Sequence, residues 1–241
     1  PVPPRNWLPL EPGILKTASA TTLVRQVDHT ILATGENPDA DSYTIVCYTE
    51  SQDIHAIRLD ALGHQSLPNG APGRAEKTGN FVLSEIKVTA VSLANPEKSQ
   101  TGLWADASAD YSQGGWDARN AIDGNAKTGW SVGSHNAAAG YPVQRADDNP
   151  AHWATFELSE PLGFAGGTML VITLQQGGER KQHNLGHFRL SCTATPKPSV
   201  PLAFPQIPEV VIAPGSMAQC ELRIERNGFE QRVQFDVNNL P

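Results

Sequence analysis

The segment Asn120-Ala-Ile-Asp-Gly-Asn-Ala-Lys-Thr-Gly-Trp130 gathers oxygen donors more densely than any other part of the chain. Asp123 offers a carboxylate, Asn125 an amide oxygen and Thr128 a hydroxyl. Asp-Gly and Gly-Asn steps favour tight turns, because glycine takes positive φ freely and Asp and Asn side chains bond nearby backbone. Such a turn can aim several oxygens at one point, as a hard cation such as Ca²⁺ requires. The same residues also suit a plain turn, with Asp123 capping the backbone and Trp130 in the core. Glu85 poses a related question. It stands in the apolar run Phe81-Val-Leu-Ser-Glu-Ile86, and a buried carboxylate needs a partner or a metal. Glu85 therefore either faces the same cation as Asp123 or pairs with an arginine. Strict alternation would put Phe81, Leu83 and Glu85 on one face, and Val82, Ser84 and Ile86 on the other.

Other chemistry is poorly supported. The seven histidines form no His-Glu-x-x-His pair and have no Cys-x-x-Cys partner, so a transition-metal site is not expected. No phosphate-binding glycine loop or Cys-x-x-Cys-His occurs, and the Gly-x-Ser-x-Gly string at Gly129 to Gly133 is followed by no helical run that would make it a nucleophile elbow. Asp147-Asp148 and Glu157 with Glu160 are the nearest thing to a paired-carboxylate glycosidase. The first pair reads as a solvated loop, and Glu160 before Pro161 as a turn. No catalytic residue is assigned, and the chain reads as no enzyme.

Binding fares better. Sugar sites combine a flat aromatic face with a few planar polar groups. Trp104, Trp116, His135, Tyr141 and Arg145 fall in segments read as loops, where binding groups usually sit. They are the candidate glycan contacts, although loop aromatics can equally fold back to plug the end of a sandwich. Trp130 and Trp153 read as core. Cys47 and Cys192 lie in strand-like runs and read as buried thiols, with a disulfide possible if those strands neighbour each other. Cys220 is the third cysteine.

A net charge of −7 argues against nucleic acid, which would call for a basic stripe. No apolar run approaches the roughly 20 residues of a membrane span. No charged-then-apolar leader is present, and the chain reads as an excised piece of something longer.

The run Ala121-Ile-Asp-Gly-Asn125, with Thr128 and Trp130 at fixed spacing, resembles the turn of discoidin-like β-sandwiches (coagulation factor 5/8 type C, galactose-binding-like). Gly79 to Val88, Ala154 to Glu157 and His183 to Ser191 extend the likeness. Their order is similar to that in large secreted planctomycete proteins that also carry cytochrome-c-like domains. The resemblance spans roughly residues 5 to 197. It implies a jelly-roll sandwich and a structural Ca²⁺ held by Asp123, Asn125 and Thr128 of the loop, which Glu85 would join if it faces that cation rather than an arginine. It further implies a secreted, periplasmic or cell-surface location, with a polysaccharide or glycan and the other domains of the parent chain as partners. In that family the Asp-Gly turn comes early. Here the Leu-Ser-Glu strand precedes it, which implies a permuted or expanded version.

The elements that must position these groups are strands. Gly (21) and Pro (19) are abundant, charged residues make only 18%, and no segment keeps a helical period. Expected strands are Thr21 to Val27, Thr30 to Ala33, Ser42 to Thr49, Ile54 to Leu59, Phe81 to Val91, Trp153 to Leu158, Met169 to Leu174 and Phe188 to Thr193. Met169 to Leu174 is continuously apolar and should be central and covered on both faces. Residues 92 to 119 read as irregular, and 132 to 150 as a long loop. The expected organisation is a linker at 1–7, a β-sandwich at 8–195, a Pro-rich linker at 196–201 and a partial immunoglobulin-like β segment at 202–241. Asn227-Gly228 gives that last segment its hairpin signal.

Overall fold

The computed structural model describes residues 5–133 and 152–197. All of these except Arg5 and Lys197 belong to one compact unit, Asn6–Pro196. His135, Tyr141 and Arg145, Cys220, and the segment at 202–241 lie outside the described residues.

The unit is all β. Its strands are β1 (Leu8–Pro9), β2 (Pro12–Thr17), β3 (Thr21–Arg25), β4 (Ile31–Gly35), β5 (Asp41–Thr49) and β6 (Ile54–Ala61). There follow β7 (Leu83–Ser92), β8 (Ser99–Thr101), β9 (Trp104–Ala109), β10 (His152–Leu162), β11 (Thr168–Gln176) and β12 (His187–Thr193). One antiparallel sheet runs β3-β4-β12-β6-β10-β9, and β1 also pairs with β12. The second runs β2-β5-β11-β7-β8. Both contribute to a single core, with Tyr43, Ile45, Ile172 and Leu174 from one sheet and Leu59, Phe156, Phe188 and Leu190 from the other. This is a β-sandwich architecture, held by apolar surface that neither sheet could bury alone.

Period-2 alternation decides which side chains enter that core. In β11, Leu170, Ile172 and Leu174 are fully buried, whereas Met169, Val171 and Thr173 are half-buried. The strand is central, between β5 and β7, but covered on one face only. The apolar residues on its outer face misled the expectation of two covered faces. In β6, Ile57 and Leu59 point inward and Arg58 outward, with the Arg58 guanidinium 4.7 Å from the Trp153 ring centre. Trp153 is thus half-buried on an outer sheet face rather than in the core. Asp60 shares that face yet is 2% exposed, because Arg58 and Arg189 both pair with it.

Three further departures have physical causes. Residues 92 to 119 contain β8 and β9; Ala105, Ala107 and Ala109 give little local strand preference, and the ladder to β10 supplies the order. Strand β2 likewise carries little local signal, with Pro12 and Gly13 at its start. Glu160-Pro161 is no turn, since β10 continues through it with a register shift between Glu157 and Leu162, where a proline needs no ladder partner. Cys47 and Cys192 are buried free thiols, one from each sheet, with no disulfide between them. Burial, with Cys192 nearby, pushes the Cys47 thiol up to about 12.

Candidate functional site

Strand β7 carries the first half of the site, and a local irregularity sets its geometry. Glu85 pairs with Gln175, but Gln176 pairs with Leu83, so Ser84 is an extra residue in the ladder. A bulge of this kind shifts the alternation by one. Leu83 and Ile86 consequently both enter the core, and the expectation that Leu83 and Glu85 share a face is corrected. Glu85 lies on the other face and is nonetheless only 6% exposed. The Asp-Gly turn covers it.

That turn is fixed from both ends. Before it, Asp117 caps a short 3-10 turn, Ala118–Ala121, by accepting the N–H of Arg119. After it, Trp130 exchanges two backbone hydrogen bonds of 2.9 Å with Leu83 and is itself fully buried. Between these anchors Gly124 takes φ 78°, a conformation most side chains avoid. Asp123 Oδ1 accepts the N–H of Asn125 at 2.8 Å. The Thr128 hydroxyl lies 2.8 Å from both Asp123 Oδ2 and the Asn125 carbonyl. The side-chain amide oxygen of Asn125 accepts the N–H of Lys127. The turn therefore makes the local bonds of a plain Asp cap, and it brings oxygens of Asp123, Asn125 and Thr128 within one small volume.

Glu85 is what a plain turn leaves unexplained. Burial raises its carboxyl above the usual carboxylate range, and the negative Asp123 raises it further. The backbone amides of Gly124 and Asn125, with Lys87, work in the opposite direction. Its Oε1 is buried with no hydrogen-bond partner, and so is the neighbouring Ser84 Oγ. No arginine pairs with Glu85 among the described residues. The negative charge of Asp123 is thus close enough to disfavour that of Glu85, and the two amides and Lys87 offset it only in part. No group of three or more His, Cys, Asp or Glu side chains suited to a metal occurs among the described residues. Two carboxylates with carbonyl and hydroxyl oxygens match the demands of a hard cation such as Ca²⁺ and not those of zinc or copper.

A second loop frames the turn. Gly178 takes φ 44°, and a Cβ there would stand 2.7 Å from the Ala126 carbonyl and 3.1 Å from Ser84 Oγ. Two residues on, the Arg180 guanidinium lies 5.7 Å from the ring centre of Trp116, which is half-buried. Trp116 is therefore placed at this end of the unit, with a cation over its ring. Arg180 and Gly178 carried no motif, and only the Gly177-Gly178 pair hinted at a turn there. Trp104 behaves differently. It begins β9 rather than standing in a loop, donates its indole N–H to the Ile86 carbonyl at 2.8 Å and packs on Phe156. Of the five candidate glycan contacts, only Trp116 sits beside the turn among the described residues.

No protein-family model, no curated protein and no solved structure matches the chain. Among the described residues, no helix is long and apolar enough to cross a membrane.

Proposed function

We propose that this chain is a non-catalytic glycan-docking module of a larger secreted protein, built on a discoidin-like jelly roll and steadied by a structural Ca²⁺. The observation that carries the reading is the buried, partnerless Oε1 of Glu85 against the Asp123 turn. Asp123 and Glu85 would supply charge to the ion, and Asn125 and Thr128 neutral oxygens. The ion takes no chemical part; it holds the turn against β7 so that neighbouring loops keep one shape. Trp116, with the exposed Arg180 guanidinium 5.7 Å from its ring centre, offers an aromatic ring and a nearby donor to a sugar beside that turn. Polysaccharide is the partner class, together with the other domains of the parent chain.

A structural or interaction domain that binds no sugar is the second reading. It draws on a specific observation: the indole N–H groups of Trp104 and Trp130 are both committed to backbone carbonyls. Those rings serve packing. Affinity electrophoresis against a panel of polysaccharides, run in Ca²⁺ and in EDTA, separates the two. Docking predicts retardation by one glycan class, weakened at least tenfold in Trp116→Ala. Unretarded migration through every gel would favour the scaffold.

A further inference from the structure

At one end of the sandwich interior, three buried polar atoms have no partner: Asp41 Oδ2, Gln176 Nε2 and Asn184 Oδ1. Their residues are 6%, 4% and 0% exposed. The topology brings them together. Gln176 lies directly opposite Asp41 in the β11–β5 ladder, so the two side chains share the inward face. Gln176 Oε1 accepts the N–H of Leu185, the residue after Asn184. Asn184 Nδ2 donates to Asn37 Oδ1 at 2.9 Å and to the Pro38 carbonyl at 2.7 Å, on the segment that leads into Asp41. Every other polar function of these side chains is engaged. Asp41 Oδ1 takes the N–H groups of Ala18, Ser19 and Ser42.

The three atoms left over are two acceptors and one donor. They do not satisfy one another: the amide N–H₂ of Gln176 has two hydrogens, yet neither oxygen lies within hydrogen-bond distance of it. We infer that one internal water molecule is bound here, accepting from Gln176 Nε2 and donating to Asp41 Oδ2 and Asn184 Oδ1. Three polar partners is the usual complement of a buried water, and each partner escapes the cost of desolvation without a bond. A metal cation suits the place poorly. Gln176 presents a donor whose orientation the Leu185 bond fixes. The Arg74 guanidinium, bonded to Thr21, Gly35 and Glu36, already supplies positive charge beside Tyr43.

The water joins residues 37–41 to both ends of residues 176–184, the loop that carries Gly178 and Arg180. It is a positioning device for that loop, and it stands independently of any calcium or glycan. The test is a high-resolution crystal structure of the full chain, from crystals prepared in sodium and in thallium(I) salts. The expected result is one density peak about 2.8–3.0 Å from all three atoms, with no anomalous signal in thallium. Absence of a peak would overturn the inference, and a thallium signal would replace the water with a monovalent cation. In solution, Gln176→Glu keeps the acceptor for Leu185 but turns the lone donor into a third acceptor. Its melting temperature should fall by several degrees; an unchanged value would show that the three atoms do not converge.

Discussion

Glu85 and His187 show how single side chains acquire a pH dependence from where the strands put them. Burial, together with Asp123, raises the Glu85 carboxyl above its ordinary 4.5. Its folded-state pKa exceeds the unfolded one, so the metal-free protein is more stable below 4.5 and loses that contribution as pH rises through the raised value. Glu85→Gln removes the charge while keeping the shape. In EDTA at neutral pH it should melt higher than the wild type and lose less stability as pH rises above 4.5; melting curves between pH 4 and 8 check this. An equal slope in the variant would remove Glu85 as its cause. His187 works the other way. Burial pushes it below its ordinary 6.5, aided by His64 and Arg189 and opposed by the Gly63 carbonyl and Asp28. Its Nε2 lies 2.9 Å from the Thr30 hydroxyl, which itself donates to Asp28. The unfolded chain takes up this proton first, so stability present above 6.5 falls as pH drops through the folded value. Urea midpoints from pH 7 to 5 should decline more steeply in the wild type than in His187→Asn.

The elements place these residues through close backbone approaches. Gly129 allows Trp130 to pair with Leu83, and a Cβ there would lie 2.5 Å from the Leu83 carbonyl. Gly129→Ala should therefore cost about 1–3 kcal/mol, read as a lower denaturant midpoint, and should loosen the Asp-Gly turn with it. A midpoint equal to wild type would show that the bridge yields without cost. The sequence made much of this level legible. The β-branched and aromatic runs of β5, β11 and β12 announce themselves, and the absence of helical period sets the class. What stayed hidden depends on partners distant in sequence. β9 is alanine-rich and owes its existence to β10, while the Ser84 bulge is visible only in register against β11. The site was half legible for the same reason. Asp123, Asn125 and Thr128 form a local pattern, and Glu85 was conspicuous as a carboxylate among apolar neighbours. Arg180 has no local signal, because its meeting with Trp116 is made by the fold. Trp104 looked like a loop aromatic until β9 took it.

For the whole molecule, the two sheets bury a common apolar core, and the proposed calcium would act at its edge as a local fastener rather than as a condition of folding. Metal-free protein should remain folded and cooperative. Binding to the native state alone stabilises by RT ln(1 + [L]/Kd), about 2.7 kcal/mol when the ion exceeds its dissociation constant a hundredfold. A unit of this size converts each kcal/mol into roughly 2–4 °C. The decisive measurement is the thermal melt of one sample in Ca²⁺ and in EDTA at neutral pH. A single transition is expected in both, higher by about 5–10 °C with calcium at such an excess. Superimposable melts would contradict it: the Asp-Gly turn would then be a turn and nothing more, with Glu85 buried for reasons of packing alone.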